Sequence, residues 1–300
     1  SAARAAERAE QRLDEGGPDE GAEPDGCRQE PAGEHLAELA AGLEAGGRAR
    51  DAAFEALRGS VRRLAFEPAG CRVVQLAMQM AERQYIAELV AELHGCVRAA
   101  IDSPHANYVL QKVLEVTPAN LAAFIVEELR GVGAMTARHR YGCRVLCRVV
   151  EYAVDIASPP LAHELLAEAG ELARHPYGHH VLCSILEHGT RELQLQLVTA
   201  LRGSLPRNAR HRHASFVVAK ALAHCPEELW RLLAAELLGP PGEALSLARH
   251  HFGCHVVRVL AALPEGSLPG LRGELQAAAG ELRATKYGRR VLEDLHAQPL

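Results

Sequence analysis

Lysine is nearly missing from this chain: of 33 basic residues only Lys112, Lys220 and Lys286 are lysines, the others being arginine. No dense Lys/Arg run stands ready as a nuclear-import signal. No apolar span reaches membrane-crossing length and no apolar segment lies near the start, so neither a membrane partner nor a secretory leader is expected. The eight cysteines include no CxxC pair, which disfavours zinc and disulfides and fits reduced thiols in the cytoplasm, with nucleus or nucleolus as the alternative. There is no glycine-rich phosphate loop and no nucleophile elbow, so no enzyme and no cofactor are expected. Alternating strand patterns are missing too, which leaves an all-α class.

Residues 1–50 hold 12 acidic against 6 basic side chains, few large apolar residues and the turn-rich run GGPDEGAEPDG at 16–26. Such a stretch buries too little apolar surface to offset its chain entropy, so residues 1–34 are expected to form a disordered acidic segment. The helix-like segments 35–47 and 52–64 follow, with 35–50 read as a degenerate cap of the domain that fills 35–300. His35 lies one period before Cys71 but carries no copy of the pattern described next. Without residues 1–50 the acidic and basic counts nearly cancel, so generic attraction to a polyanion is weak.

A five-residue pattern recurs seven times: CRVVQ at 71–75, NYVLQ at 107–111, CRVLC at 143–147, HHVLC at 179–183, SFVVA at 215–219, CHVVR at 254–258 and RRVLE at 289–293. The first four intervals are each 36 residues, then 39, then 35, and the longest contains the loop Gly239-Pro240-Pro241-Gly242. A period of this size marks one supersecondary unit copied and stacked. Between pentads lie a turn and an amphipathic stretch such as ANLAAFIVEEL at 119–129, with helix starts at Thr117-Pro118, Ser158-Pro159-Pro160, Thr190, Cys225-Pro226 and Pro264-Glu265. The chain opens on Ser1 and only a few residues follow the last pentad, as expected of a fragment without its C-terminal cap.

The pentad columns divide by chemistry. The third residue is always valine and the fourth valine or leucine, which a buried helix face requires. The preceding residue is always glycine or alanine, and the one before that is a ring in six copies of seven. Four residues before the pentad stand His139, His175, His211 and His250; a histidine repeated down an array fixes helix starts by hydrogen bonding and is not a general base, which must be unique. The second pentad residue is flat every time: Arg72, Tyr108, Arg144, His180, Phe216, His255 and Arg290. Such residues make up about a fifth of the chain, so seven in register exceed composition. Planar groups at fixed spacing suit unstacked bases, each of which needs a surface to lie on. The first and fifth residues lie one above the other on a helix and flank that plane; Asn107 and Gln111 are both amides, able to donate and accept.

The segments FEPAGCRVVQLAM (66–78), HANYVLQKVLE (105–115), HPYGHHVLCSILEHG (175–189) and HASFVVAKAL (213–222) resemble the repeat core of the Pumilio family, and the likeness runs from about residue 50 to 295. The resemblance implies an all-α solenoid, a crescent of about seven three-helix repeats, whose middle helices bind single-stranded RNA at one base per repeat. It implies stacking by the second pentad residue and edge contacts by the first and fifth. Cys71 and Gln75 with Arg72 then resemble an adenine reader, and Asn107 and Gln111 with Tyr108 a uracil reader, giving 5′-UA-3′. Cys143 with Cys147, and His179 with Cys183, lack a long polar partner; Ser215 with Ala219 is similar to a guanine reader without its glutamate. Cys254 with Arg258 is similar to a cytosine pair, and Arg289 with Glu293 matches no base.

By this resemblance the chain is expected to be a monomer that binds messenger RNA through 3′ untranslated elements, with protein effectors, and so to regulate translation. Two alternatives are a ribosome-assembly factor with little sequence preference and a helical-repeat scaffold that grips a protein.

Overall fold

A computed structural model of the chain describes residues 30–152, 159–264 and 266–297. These form 22 helices, and no strand occurs among the described residues. The expected disordered segment 1–34 lies mostly outside the described residues, although the first helix, Glu30–Ala45, already begins within it. Two compact units divide the chain, one ending at Glu164 and the other starting at Leu165.

In the first unit, Glu30–Ala45 packs against Gly47–Leu57 and against the pentad helix Gly70–Met80. The single helix expected over 52–64 is two: Gly47–Leu57 ends at Arg58, and a new helix runs Val61–Ala65. Gly59 causes the break, because its φ of 76° is left-handed backbone that no helix continues through. Repeats 1 to 6 are each a short helix, a pentad helix and a third helix, and repeat 7 has the first two among the described residues. Val61–Ala65, Gly70–Met80 and Arg83–Ala91 form repeat 1; Val97–Asp102, Ala106–Val116 and Ala119–Leu129 form repeat 2; Gly133–Ala137, Gly142–Tyr152 and Pro159–Ala167 form repeat 3. The pentad helices of these repeats pack side by side.

The second unit repeats the plan. Ala169–Arg174, Gly178–His188 and Arg191–Leu201 form repeat 4, and Leu205–Ala209, Ala214–His224 and Glu227–Leu238 form repeat 5. Glu243–Arg249, Gly253–Ala261 and Leu271–Ala277 form repeat 6; Ala279–Arg283 and Lys286–Ala297 form repeat 7. The loop at 239–242 separates repeats 5 and 6, and Gly242 at φ 77° turns the chain into the next helix. The helix expected from Pro264-Glu265 begins only at Leu271, behind Gly270 at φ 93°; Glu265 is outside the described residues, as is Ser158. The molecule is an all-α solenoid of copied three-helix repeats.

The valine column builds the core: Val73, Val109, Val145, Val181, Val217, Val256 and Val291 are all buried, as is every fourth pentad residue. The small column has a steric cause. A Cβ on Gly70 would lie 2.5 Å from the Leu64 carbonyl oxygen, and one on Gly142 2.5 Å from that of Thr136.

The histidine column does what its repetition predicts. Nδ1 of His139 accepts backbone N–H bonds from Tyr141 and Gly142 at 3.3 and 3.2 Å, and His175 does the same for Tyr177 and Gly178 at 3.2 Å each. His211 and His250 repeat the geometry at 3.2–3.4 Å. Ser103 and Thr285 replace it with hydroxyls. Accepting at Nδ1 requires the neutral ring, and the ring two residues on packs beside each histidine, at centroid distances of 5.7–6.0 Å.

A second recurring device ties the third helix to the short helix of its repeat. The Glu92 carboxylate accepts from the N–H groups of Gly59 and Val61 at 2.7 and 2.9 Å, Glu128 from Gly95 and Val97 at 2.6 and 3.1 Å, and Glu164 from Gly131 and Gly133 at 2.7 Å each. Glu236 accepts from Leu205 in repeat 5, while repeat 4 has Ala200 at that place. Helix N-termini leave N–H groups without intrahelical partners, and a carboxylate there also meets the positive end of the dipole.

Candidate nucleic-acid interface

In the unit ending at Glu164 the flat residues point to solvent. Arg72, Tyr108 and Arg144 are exposed, Tyr108 by 42 %. Arg144 Nη1 donates to Tyr108 Oη at 3.3 Å, so consecutive planes touch one period apart. Gln75, Gln111 and Cys147 are half-buried beside them.

The first pentad residues lie deeper. Cys71, Asn107 and Cys143 are buried, Asn107 with 0 % exposure. Each bonds to its own backbone turn: Cys71 Sγ to the Pro68 carbonyl at 3.3 Å, Asn107 Nδ2 to that of Ser103 at 2.8 Å, and Cys143 Sγ to that of Arg140 at 3.5 Å. Gln111 Nε2 in turn donates to Asn107 Oδ1 at 3.0 Å, and Gln75 Nε2 to the Cys71 carbonyl at 3.1 Å. Asn107 is therefore the anchor that orients Gln111, and Gln111 is the amide that faces outward.

The unit starting at Leu165 is more closed. His180, Phe216 and Arg290 are half-buried, and His255 is buried at 4 % exposure. His179 is also buried, its ring centroid 3.9 Å from that of His180, 5.0 Å from His213 and 5.8 Å from Phe216, the last nearly parallel. Its Nδ1 lies 2.9 Å from the His175 carbonyl oxygen and so carries the proton. Burial, helped by the neighbouring His180, pushes its pKa down to about 3. Cys183, Ser215, Ala219 and Cys254 are buried, with Ser215 Oγ bonded to the Arg212 carbonyl at 3.4 Å and Cys254 Sγ to that of His251 at 3.1 Å. Arg289 and Glu293 are exposed, and Arg289 Nη1 donates to the Arg283 carbonyl at 2.9 Å.

Arg258 is 7 % exposed and its Nε pairs with Asp294 one period on. A similar ion pair joins buried Lys220 to Glu187, with His224 3.6 Å from the same carboxylate. These one-period charge pairs are absent from the sequence reading, and the signal that could have found them is the residue following each pentad, which supplies Lys220 and Asp294. Burial pushes the thiols of Cys143 and Cys254 up to about 11 and that of Cys225 to about 12, so all three are neutral. Among the described residues no three metal-ligating side chains gather, and no helix is long and apolar enough to cross a membrane.

Comparison with known proteins gives six of the seven repeats. The family model "Pumilio-family RNA binding repeat" matches residues 60–94, 103–130, 136–146, 169–202, 209–238 and 244–257, just over half of the chain. The fold is similar to that of the Puf3 RNA binding domain bound to a Cox17 RNA 3′ UTR recognition sequence, with TM-score 0.79 and 20 % identity over 89 % of this chain and 84 % of that one. It is similar also to PUF-8 in complex with PBE-RNA, with TM-score 0.74 and 19 % identity over 97 % and 89 % of the two chains. The RNA-binding domain of yeast Puf5p bound to MFA2 RNA matches with TM-score 0.61 and 19 % identity over 80 % and 68 %. No curated protein sequence matches the chain. Repeat period, pentad columns, three-helix units and the family match lead to one statement: the chain belongs to the Pumilio family of RNA-binding repeat proteins.

Proposed function

We propose that the protein binds single-stranded RNA along the pentad-helix faces, by stacking bases on the flat column and by edge contacts from the fifth pentad residues, and that it acts on messenger RNA through 3′ untranslated elements. The observation that carries this reading is the run Arg72, Tyr108 and Arg144, exposed at one-period spacing with the last two in contact. A base between two such planes gains about 1–3 kcal/mol by stacking. Edge discrimination belongs mainly to repeats 1 and 2, where Gln75 and Gln111 present amides held by Cys71 and Asn107. By family resemblance these favour adenine and uracil, hence 5′-UA-3′.

In repeats 3 to 5 the residues flanking the plane are thiols, imidazole, hydroxyl or methyl, mostly buried. They supply shape and stacking with little base identity. The experiment is an affinity comparison of short single-stranded RNAs carrying UA against scrambled and duplex controls. Preference for single strand over duplex supports the stacking mode, and preference for UA supports edge reading. Equal binding to all three contradicts both.

A further inference from the structure

We infer that repeat 6 reads no base, and that Asp294 of repeat 7 silences it by holding Arg258. The inference rests on the proposed RNA-binding mode and narrows it. By pentad chemistry alone Cys254 with Arg258 is the pair most suited to a cytosine edge, because a guanidinium can donate to its carbonyl oxygen and ring nitrogen. The structure withdraws all three of that repeat's contact positions together. Cys254 has no exposed surface, His255 is 4 % exposed and Arg258 7 %. In repeats 1 to 3, by contrast, the flat residue is exposed and the fifth residue half-buried.

The cause lies one period on. Asp294 sits in the pentad helix Lys286–Ala297, directly after Glu293, and accepts from Arg258 Nε across the packed helices Gly253–Ala261 and Lys286–Ala297. With Arg258 buried, moving it off Asp294 leaves its charge uncompensated, so it cannot leave Asp294 without a matching anion. A neutral base is not one. Asp294 keeps about two-fifths of its side chain in solvent, so an approaching RNA meets a carboxylate where the pentad pattern promised a cation. At the same place in other repeats the residue is Leu76, Lys112, Arg148, Ser184, Lys220 or Val259, none of them acidic. Asp294 is thus a specificity-determining residue that acts by withholding Arg258.

The test uses the full chain and a panel of eight-nucleotide single-stranded RNAs ending in UA, with every other position varied in turn through the four bases. The wild-type protein is expected to show no cytosine preference above about twofold at any position, where a working guanidinium reader gives about tenfold. Asp294→Ala, in a helix where alanine is well tolerated, is expected to gain about tenfold preference for cytosine at one position. The double variant Asp294→Ala/Arg258→Met is expected to lose that gain. A cytosine preference in the wild type that Arg258→Met abolishes overturns the inference and leaves RNA binding standing. So does an Asp294→Ala protein that is folded by circular dichroism and gains nothing. The wild-type panel decides the matter even where Asp294→Ala fails to fold. Failure of the wild type to bind any single-stranded RNA defeats the proposed function itself, and this inference with it.

Discussion

Glu128 offers the sharpest test of how the repeats are held together. Its carboxylate accepts N–H bonds from Gly95 at 2.6 Å and Val97 at 3.1 Å, and Arg98 Nε donates to its backbone carbonyl at 3.0 Å. Glu128→Ala removes both carboxylate contacts and leaves the backbone one. Hydrogen bonds to a charged group contribute about 1.5–3 kcal/mol each, but the site is half-buried and water re-forms part of that, so the expected loss is about 2–3 kcal/mol. Glu128→Gln retains one oxygen acceptor without the charge and should lose about half as much. Urea unfolding followed by circular dichroism reads both as falls in midpoint at constant slope. A loss below about 0.5 kcal/mol for Glu128→Ala, the range of an ordinary surface substitution, refutes the clasp. Gln equal to wild type refutes the claim that two acceptor oxygens matter.

Acid should weaken the second unit. The pKa of His179 is about 3 in the folded chain, and burial also lowers those of His211, His213 and His250. Their ordinary value is about 6.5, so below that the unfolded chain binds more protons, and the stability they lend is complete above about pH 6.5 and lost as pH falls toward 3. His179 alone should cost about 2 kcal/mol at pH 5, read as a smaller stability gap between wild type and His179→Gln at pH 5 than at pH 7.5; a gap that does not narrow contradicts this. Salt should matter little to RNA affinity. With about three exposed guanidinium contacts, log K against log salt should slope near −2, and a slope steeper than about −5 would mean that backbone charge, not stacking, carries binding.

Much of the fold was legible because its causes are local and repeated. Val73 and its six counterparts show the buried stripe, and His139, His175, His211 and His250 show the helix starts, since a neutral imidazole two and three residues before free N–H groups has one natural role. Glu92, Glu128, Glu164 and Glu236 share a column as well, but other glutamates such as Glu88 and Glu127 stand beside them, and nothing local says which carboxylate reaches a neighbouring helix. The break at Gly59 was hidden because a left-handed glycine and a tolerated helical one look alike in a string. Depth in the site was illegible for a further reason. His255 and His180 are the same residue in the same column, yet one is buried and the other half-open, so depth depends on surroundings that the pentad does not encode. Arg258 shows the same dependence, its availability set by Asp294 one period away.

The central claim is that exposed planes one period apart take up nucleobases, and Tyr108 is its best single witness. The direct measurement is the dissociation constant of Tyr108→Ala against wild type for a single-stranded RNA carrying UA, by fluorescence anisotropy at fixed salt. Loss of one stacking plane predicts a fall in affinity of about 5- to 150-fold, the equivalent of about 1–3 kcal/mol, with the folded stability of this exposed position unchanged. Equal affinity for the two proteins contradicts the account.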